Sequence, residues 1–529
     1  MTRWFLVWLL GGAGLLSAAQ PNIIVFMVDD YDNYEASVYG GKVPTPHLDR
    51  LAREGVTFEN AHVTSTVCTP SRYTFLTGRY AGSAYSAEFL ELFPKGQQSL
   101  PGFNVELEPD NQNVAALLAK AGYATGMVGK FHVGPSLSDA EFRQKYGLHE
   151  IEKNVPFTPA LNRKKFENEK GYRKAVKDFG FTWAKNIYWD NTKAPFQSHN
   201  PEWTAAAAVE FIERHNQEPF YLHYCTTLLH GPSGSWHKSL DKPRVTGEGI
   251  IDTDLNVLPS RGSVMKRIEQ AGLTSNQAGY LWMDDSLGLI LNKLDELKLA
   301  QNTIVLFVAD HGSAHKGSLY KARGTEVPCI MRWPAGMKAG VRSDELIQNT
   351  DFVPTWFELA GVKKPASYRM DGVSLTPLFQ APHEPVREHV YAEIGAARSI
   401  KTKTHSYIAL RYTQEQVAGV QKRQRRELKA LTGLSGGVSR SIATHPHAYT
   451  GDQLYDLNRD PDAQNNLADH KRHAGTLAQM KQKLAAELKR FTARPYGEFV
   501  PGGNALAGGG YDKVFEILRQ AAVDKKPKK

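Results

Sequence analysis

After an apolar run from Trp4 to Leu16, the chain enters Pro21-Asn22-Ile23-Ile24-Val25-Phe26-Met27-Val28, an almost unbroken apolar stretch closed by Asp29-Asp30. A strand without polar alternation is covered on both faces, so this stretch predicts a central parallel strand that delivers two carboxylates at its carboxyl edge. Similar runs at Ala124 to Val128, Phe220 to Tyr224, Thr303 to Ala309 and Pro328 to Arg332 predict further strands of that kind. Between them, helical patterns cover Pro46 to Glu54, Asn113 to Ala121, Trp203 to Arg214 and Ser275 to Leu297. Strands and helices in alternation predict an α/β fold, a mostly parallel central sheet flanked by helices, whose ligands collect at the carboxyl edge.

Past Asp371-Gly372-Val373-Ser374-Leu375 the pattern shortens. His389 to Glu393, Arg398 to Thr402, Tyr407 to Tyr412 and Gln453 to Leu457 predict antiparallel strands, and Met480 to Thr492 a closing helix. The change places a boundary near residue 380, dividing a main domain, 20–380, from a smaller α+β subdomain, 381–529. Two polar stretches, Leu137 to Asp190 and Gln414 to Tyr449, read as insertions with solvated surfaces. The second carries Gln421-Lys422-Arg423-Gln424-Arg425-Arg426 on a predicted helix.

The first residues change the picture of where the protein works. Met1-Thr2-Arg3, the apolar run and Ser17-Ala18-Ala19 follow the pattern of a cleaved signal peptide over 1–19, which predicts an exported protein, periplasmic or extracellular. The run is shorter than the roughly 20 apolar residues a spanning helix needs, so no stable membrane anchor is expected. With only three cysteines, an exported chain of 529 residues is not a disulfide scaffold, and Cys225 and Cys329, inside apolar runs, read as core residues. The net charge of +9 suits an acidic partner, although part of it is the tail Asp524-Lys525-Lys526-Pro527-Lys528-Lys529. No nucleic-acid-binding signature accompanies it, which leaves a sulfated or otherwise anionic substrate as the economical reading.

Asp29-Asp30 and Asp310-His311 each close a buried run, so two pairs far apart in sequence can converge on one metal, and hard oxygen ligands point to Ca²⁺ or Mg²⁺. Asp29-Asp30 can equally do no more than cap a turn or a helix start. Cys68 precedes Pro70, Arg72 and a predicted helix through Leu76-Thr77-Gly78-Arg79. A nucleophile at a helix start gains from the positive end of the dipole, and Arg72 can hold its charge.

Cys68-Thr69-Pro70-Ser71-Arg72, followed by Leu76-Thr77-Gly78-Arg79, resembles the signature of the formylglycine-dependent sulfatases of the alkaline phosphatase-like superfamily. Further blocks resemble the same family: Asp29-Asp30, Val128-Gly129-Lys130-Phe131-His132, His230 with Pro232, Asp310-His311-Gly312, Lys316-Gly317-Ser318-Leu319-Tyr320, and the late Leu454-Tyr455-Asp456-Leu457. The resemblance implies that a formylglycine-generating maturation enzyme oxidises Cys68 to an aldehyde, whose hydrate is the nucleophile. It implies one Ca²⁺ held by Asp29, Asp30, Asp310, His311 and residue 68, with Arg72 stabilising the oxygens of residue 68. Lys130 and Lys316 would clamp the sulfate, and His132 would touch the hydrate. His230 would sit beside the leaving group, and Asp310 would help to deprotonate the attacking hydroxyl.

A sulfate ester is already electron-rich, so cations are needed before any nucleophile can approach it. Lys130 and His132 alternate along an extended segment and are expected to point the same way. His223, the competitor of His230, lies inside an apolar run and reads as a satisfied core histidine. Two departures stand out. His311 occupies a position where many family members carry Asn or Gln. The segment from Lys316 to Pro328 is one residue longer than the common pattern and has Lys321-Ala322-Arg323-Gly324 in place of a Glu-Gly-Gly turn, so Lys321 is the alternative clamp.

The function implied is hydrolysis of sulfate esters, on a sulfated carbohydrate or polysaccharide. Lys321, Arg323 and the run Lys422 to Arg426 offer contacts to a polyanionic chain, while a solvated helix accounts for that run equally simply. The rival within the superfamily is a phosphonate monoester hydrolase or phosphodiesterase with the same signature. A glycan-binding relative without catalysis is disfavoured, because no nucleophile, ligand or clamp position is lost.

Overall fold

The computed structural model describes residues 20–96, 99–230, 236–411, 444–448 and 450–491. The leader at 1–19, Pro232, the basic run Lys422 to Arg426, the lysine-rich tail and the side chain of Arg323 lie outside the described residues.

In chain order the main sheet is built from β1 (Asn22–Val28), β2 (Val56–Phe58), β3 (Ala124–Lys130), β4 (Trp183–Tyr188), β5 (Phe220–Cys225), β6 (Thr303–Ala309), β7 (Cys329–Arg332) and β8 (Val341–Ser343). Their spatial order is β8-β2-β7-β6-β1-β5-β3-β4. β6, β1, β5, β3 and β4 run parallel, whereas β7 lies antiparallel to both β6 and β2. The apolar run at Pro328 to Arg332 is therefore a strand, but of the opposite direction to the others. The helices that matter to the layout, numbered among themselves, are α1 (Pro46–Arg53), α2 (Cys68–Thr77), α3 (Val114–Lys120), α4 (Pro159–Asp178), α5 (Pro201–Arg214), α6 (Ala278–Glu296), α7 (Phe352–Ala360) and α8 (Ala474–Leu488); shorter or peripheral helices join them. α1, α5 and α6 pack as one group and α2, α3 and α7 as another, covering the sheet.

All seven residues of β1 and all seven of β6 are buried, which is why these strands read as continuous apolar runs. Val28 pairs with Ala309, so Asp29-Asp30 and Asp310-His311 leave the sheet side by side. β3 needs Gly129 at its end. That residue has φ +87°, and a Cβ there would meet the carbonyl oxygen of Cys225 at 1.8 Å. The register between β3 and β4 shifts at Val128/Gly129, immediately before Lys130.

The stretch from Leu137 to Asp190, expected as a solvated insertion, is in part integral to the fold. It contains α4 and ends in β4, which pairs with β3 at the edge of the sheet. The late strands form a separate antiparallel sheet of β9 (Val390–Ile394), β10 (Ala397–Lys401), β11 (His405–Leu410) and β12 (Asp452–Asp456). α8 begins at Ala474, six residues before the expected Met480, and lays Met480, Leu484 and Leu488 on this sheet. Tyr80, two residues beyond the cap of α2, reaches into that small core and donates a hydrogen bond from its hydroxyl to Glu487 at 2.7 Å. Cys225 and Cys329 are buried and unbridged.

Candidate active site

The site forms where β1, β3, β5 and β6 end and α2 begins. α2 starts at Cys68 itself, directly after the extended Val67, and stops at Gly78, whose φ of +63° closes it in the left-handed region that favours glycine. Every residue of the helix is buried. The thiol sits 3.5 Å from Asp29 Oδ1, 3.3 Å from His311 Nε2, and 3.7 Å from each of Lys130 Nζ and Lys316 Nζ.

Around it the charges interlock. Lys130 donates to Asp29 Oδ2 at 2.5 Å, and Lys316 donates to Asp30 at 2.8 and 3.0 Å. Arg72 donates from Nε to Asp310 Oδ2 at 3.0 Å and from Nη1 to the carbonyl of Lys130 at 2.8 Å, and its Nη2 lies 3.8 Å from Asp29. Asp310 Oδ1 accepts the backbone N–H of Asp30 at 3.1 Å. His311 faces Asp30 Oδ1 at 3.2 Å, with its other ring nitrogen 2.9 Å from the carbonyl of Gly312.

These neighbours set the protonation states. Burial alone would raise the Cys68 thiol, but Lys130 and Lys316 hold it well below its ordinary value. Burial likewise opposes ionisation of Asp29, and Lys130, His230, Arg72 and Lys316 reverse it, leaving that carboxyl well below the usual range. Asp310 moves the other way: burial raises it to about 7, against the pull of His311 and Arg72. Against its own burial, His311 is raised to about 9 by Asp310, Cys68 and Asp30.

Asp29, Asp30, Cys68 and His311 each present one ligand atom, all within 4.8 Å of one another. Buried hard oxygens converging with one imidazole fit a divalent cation. Asp310 borders the same cluster, with one oxygen held by Arg72 and the other by the Asp30 amide.

The remaining predicted residues form an outer ring. His132 stands at φ +57°, so it reaches the site from a left-handed position and not by simple strand alternation with Lys130. Its Nε2 pairs with Asp190 Oδ1 at 3.2 Å. Burial and Lys130 lower this imidazole, Asp190 and Cys68 raise it, and the balance lies above the ordinary value. His230 Nε2 lies 4.0 Å from Asp30 and 3.3 Å from Asn191 Nδ2, and burial lowers it. His223 is buried, shares a 2.8 Å hydrogen bond with the hydroxyl of Tyr221, and is pushed down to about 3 by burial and Arg72. Lys316, not Lys321, reaches the cluster; Lys321 pairs with Glu326 at 3.3 Å. Lys321–Thr325, in the segment expected to be one residue longer, makes a π-helical turn.

A family model described as Sulfatase matches residues 21–362, well over half the chain. The chain belongs to the sulfatase family. As a sulfatase it is a sulfuric ester hydrolase. A second model, described as N-sulphoglucosamine sulphohydrolase, C-terminal, matches residues 309–417. An ulvan-active sulfatase of Formosa agariphila is 25% identical to it over 486 residues, 89% of this chain and 79% of that protein. An N-acetylgalactosamine-6-O-sulfatase of Bacteroides thetaiotaomicron is 26% identical over 556 residues, covering 90% and 94%. A structure solved with its substrate D-glucosamine-2-N,6-O-disulfate shares the fold, with a TM-score of 0.57 at 19% identity over 90% of this chain and 99% of its own.

Three polar residues beside His132 and His230 carry no sequence signal of their own. Asp190, the last residue of the stretch read as surface, and Asn191 directly after it follow β4, and His199 bonds Thr227 Oγ1 at 2.9 Å near His230. Only recognition of Ile187-Tyr188-Trp189 as the end of a sheet strand would have brought the first two to the carboxyl edge. No described helix is long and apolar enough to cross a membrane.

Proposed function

We propose that this sulfatase is exported by its leader, 1–19, and removes sulfate from a sulfated carbohydrate through residue 68 matured to formylglycine. The observation that carries the reading is the placement of two lysine ammonium groups, each 3.7 Å from the Cys68 sulfur, above a nest of buried carboxylates. Such an arrangement suits an incoming anionic group, such as a sulfate ester, at residue 68 better than any neutral substrate. The named substrates of the two relatives, an ulvan and an N-acetylgalactosamine sulfate, support a carbohydrate, as does the sulfated glucosamine in the related structure.

Asp29, Asp30, Asp310 and His311, with residue 68, would hold a calcium ion. Bound there, the ion would supply a fixed positive charge that offsets the charge of the ester. The matured residue supplies the attacking hydroxyl and, through its second hydroxyl, an exit for sulfate that needs no water at sulfur. Lys130 and Lys316 turn from their carboxylates to the sulfate oxygens and stabilise the charge that shifts during transfer. Arg72, anchored on Asp310 and the Lys130 carbonyl, stays beside residue 68 and holds its oxygens. Asp310, raised towards neutrality, accepts the proton of the attacking hydroxyl. His230 donates to the departing alkoxide; the anionic ester beside it offsets the effect of burial on its ring. His132, oriented by Asp190, takes the proton when sulfate leaves. Residues 20–380 form the catalytic domain and 381–529 the subdomain that shapes the approach.

Peptide mass spectrometry around residue 68 in protein from its natural host, combined with turnover of aryl sulfate, aryl phosphonate and phosphodiester, tests this. Formylglycine and a preference for sulfate are expected. An unmodified thiol in active enzyme, or a large preference for phosphorus, would overturn it.

A further inference from the structure

A cavity of about 370 Å³ lies beside the cluster, under the segment that joins β3 to β5. α4 contributes Lys165 and Asn168 to its wall, and Trp189, Asp190 and Asn191 follow from the end of β4. It shares that second wall with the site already described, since Asp190 pairs with His132 and Asn191 bonds His230. A group lying in the cavity is therefore attached to, or next to, whatever occupies the histidines.

Lys165 is the unusual residue here. Lys153 and Lys193 stand exposed at the mouth with Glu150 and Glu152, whereas Lys165 is half-buried and set back. It has no hydrogen bond or ion pair to a described residue. The two carboxylates that act on it are engaged elsewhere: Glu169 by Arg173 at 2.6 Å, and Asp190 by His132. Burial lowers its amine to about 8, a desolvation cost that a bound anion would offset. A half-buried ammonium whose neighbouring carboxylates are each paired to another cation, in a cavity contiguous with the cluster, is the chemistry of anion recognition.

We propose that this cavity is a second anion subsite, in which Lys165 pairs with a further sulfate or a carboxylate carried by the substrate sugar or its neighbour. The proposal rests on the sulfatase reading of the adjoining site and adds a substrate class to it: sugars with two anionic groups. Lys165 is then a specificity residue that acts by ground-state and transition-state binding alike, without touching the reacting atoms.

The test compares the matured wild-type enzyme with Lys165→Gln and Lys165→Arg. Four substrates are used: an aryl sulfate, a monosulfated disaccharide with a neutral neighbour, the same disaccharide with a uronate neighbour, and the same with a second sulfate. Lys165→Gln is expected to lower kcat/KM on one of the two doubly anionic sugars at least about ten-fold more than on the aryl sulfate, mostly through KM, as loss of a charge-assisted contact would. Lys165→Arg should recover most of that difference, and the sugar affected identifies the anion. An equal loss on all four substrates, which is the signature of a structural lysine, or no additional loss on either doubly anionic sugar, overturns the proposal. If the wild-type enzyme turns over no sulfate ester at all, the sulfatase reading fails by itself. Equilibrium binding of the two doubly anionic sugars to wild type and Lys165→Gln then decides the role of Lys165, and equal affinities refute it.

Discussion

The two ends of α2 each carry a buried arginine paired with a buried carboxylate, and they serve different ends. Beyond its C-terminus, Arg79 donates to Glu108 at 2.8 Å, and Glu108 also accepts the hydroxyl of Tyr73 and the amide of Tyr85, both at 2.9 Å. The guanidinium lies over the Tyr85 ring, 4.7 Å from its centroid. One cation and one anion satisfy each other there, fastening the helix to its surroundings. At the other end, Arg72, Lys130, Lys316 and His311 crowd against three carboxylates and a low thiol around one point. Burial and charge occur at both ends, so neither marks a site. The mark is convergence of more charges than pairwise neutralisation requires, together with a nucleophile.

The sharpest way to break this comparison is to remove one residue from each end. Cys68→Ala is expected to lower kcat/KM for an aryl sulfate by about 10⁴-fold or more while leaving the unfolding midpoint nearly unchanged. Arg79→Met should do the reverse, costing about 3–5 kcal/mol in denaturant unfolding because Glu108 is left buried without its partner, while the folded fraction stays active. If Arg79→Met abolished turnover in folded protein, the distinction between the ends would be lost. Next in size, Lys130→Met should reduce kcat about 10²- to 10³-fold, the scale for one donor to a developing charge. The measurement is steady-state kinetics, and a change in KM alone would move Lys130 from transition-state stabilisation to simple binding.

Asp190→Asn sharpens the boundary of the site with a smaller effect, about ten-fold. Asp190 raises the His132 imidazole, so without it the ring gives up its proton at lower pH. The limb of the pH–rate profile that belongs to His132 should therefore move to lower pH, and a profile lowered uniformly would reduce Asp190 to a packing role. The smallest change is expected of Lys321→Met, less than about three-fold, because its partner is Glu326 and its amine does not reach the Cys68 cluster. A loss comparable with that of Lys130→Met would restore Lys321 as a clamp.

What the sequence discloses follows the same division. β1 and β6 are legible because burial on both faces leaves only apolar side chains, and the residues of the Cys68 cluster are legible because they stand in short local blocks such as Asp29-Asp30, Cys68-Thr69-Pro70-Ser71-Arg72 and Asp310-His311. β4 hides because it is an edge strand: Trp183 and Lys185 are partly exposed, and Lys185 pairs with Glu210 on α5. With β4 hidden, Asp190 and Asn191 have no address, since a residue that orients a histidine from a neighbouring strand is defined by three-dimensional position and not by local spacing. The sequence leaves Lys316 and Lys321 as alternative clamps, and only the three-dimensional placement, with Lys316 on Asp30 and Lys321 in the turn Lys321–Thr325, separates them.

The complete burial of α2 also fixes an order of events. Cys68 is 1% exposed, and Thr69, Pro70, Ser71 and Arg72 are packed with it. An enzyme that reads this pentapeptide must hold it in its own cleft, which the folded protein does not permit. On the proposed reading, oxidation of the thiol belongs to the interval between synthesis and folding, and a molecule that folds first remains an unarmed copy for as long as it stays folded. The proportion of active protein in a preparation would then record a race between two clocks, that of the oxidising enzyme and that of the chain's own collapse.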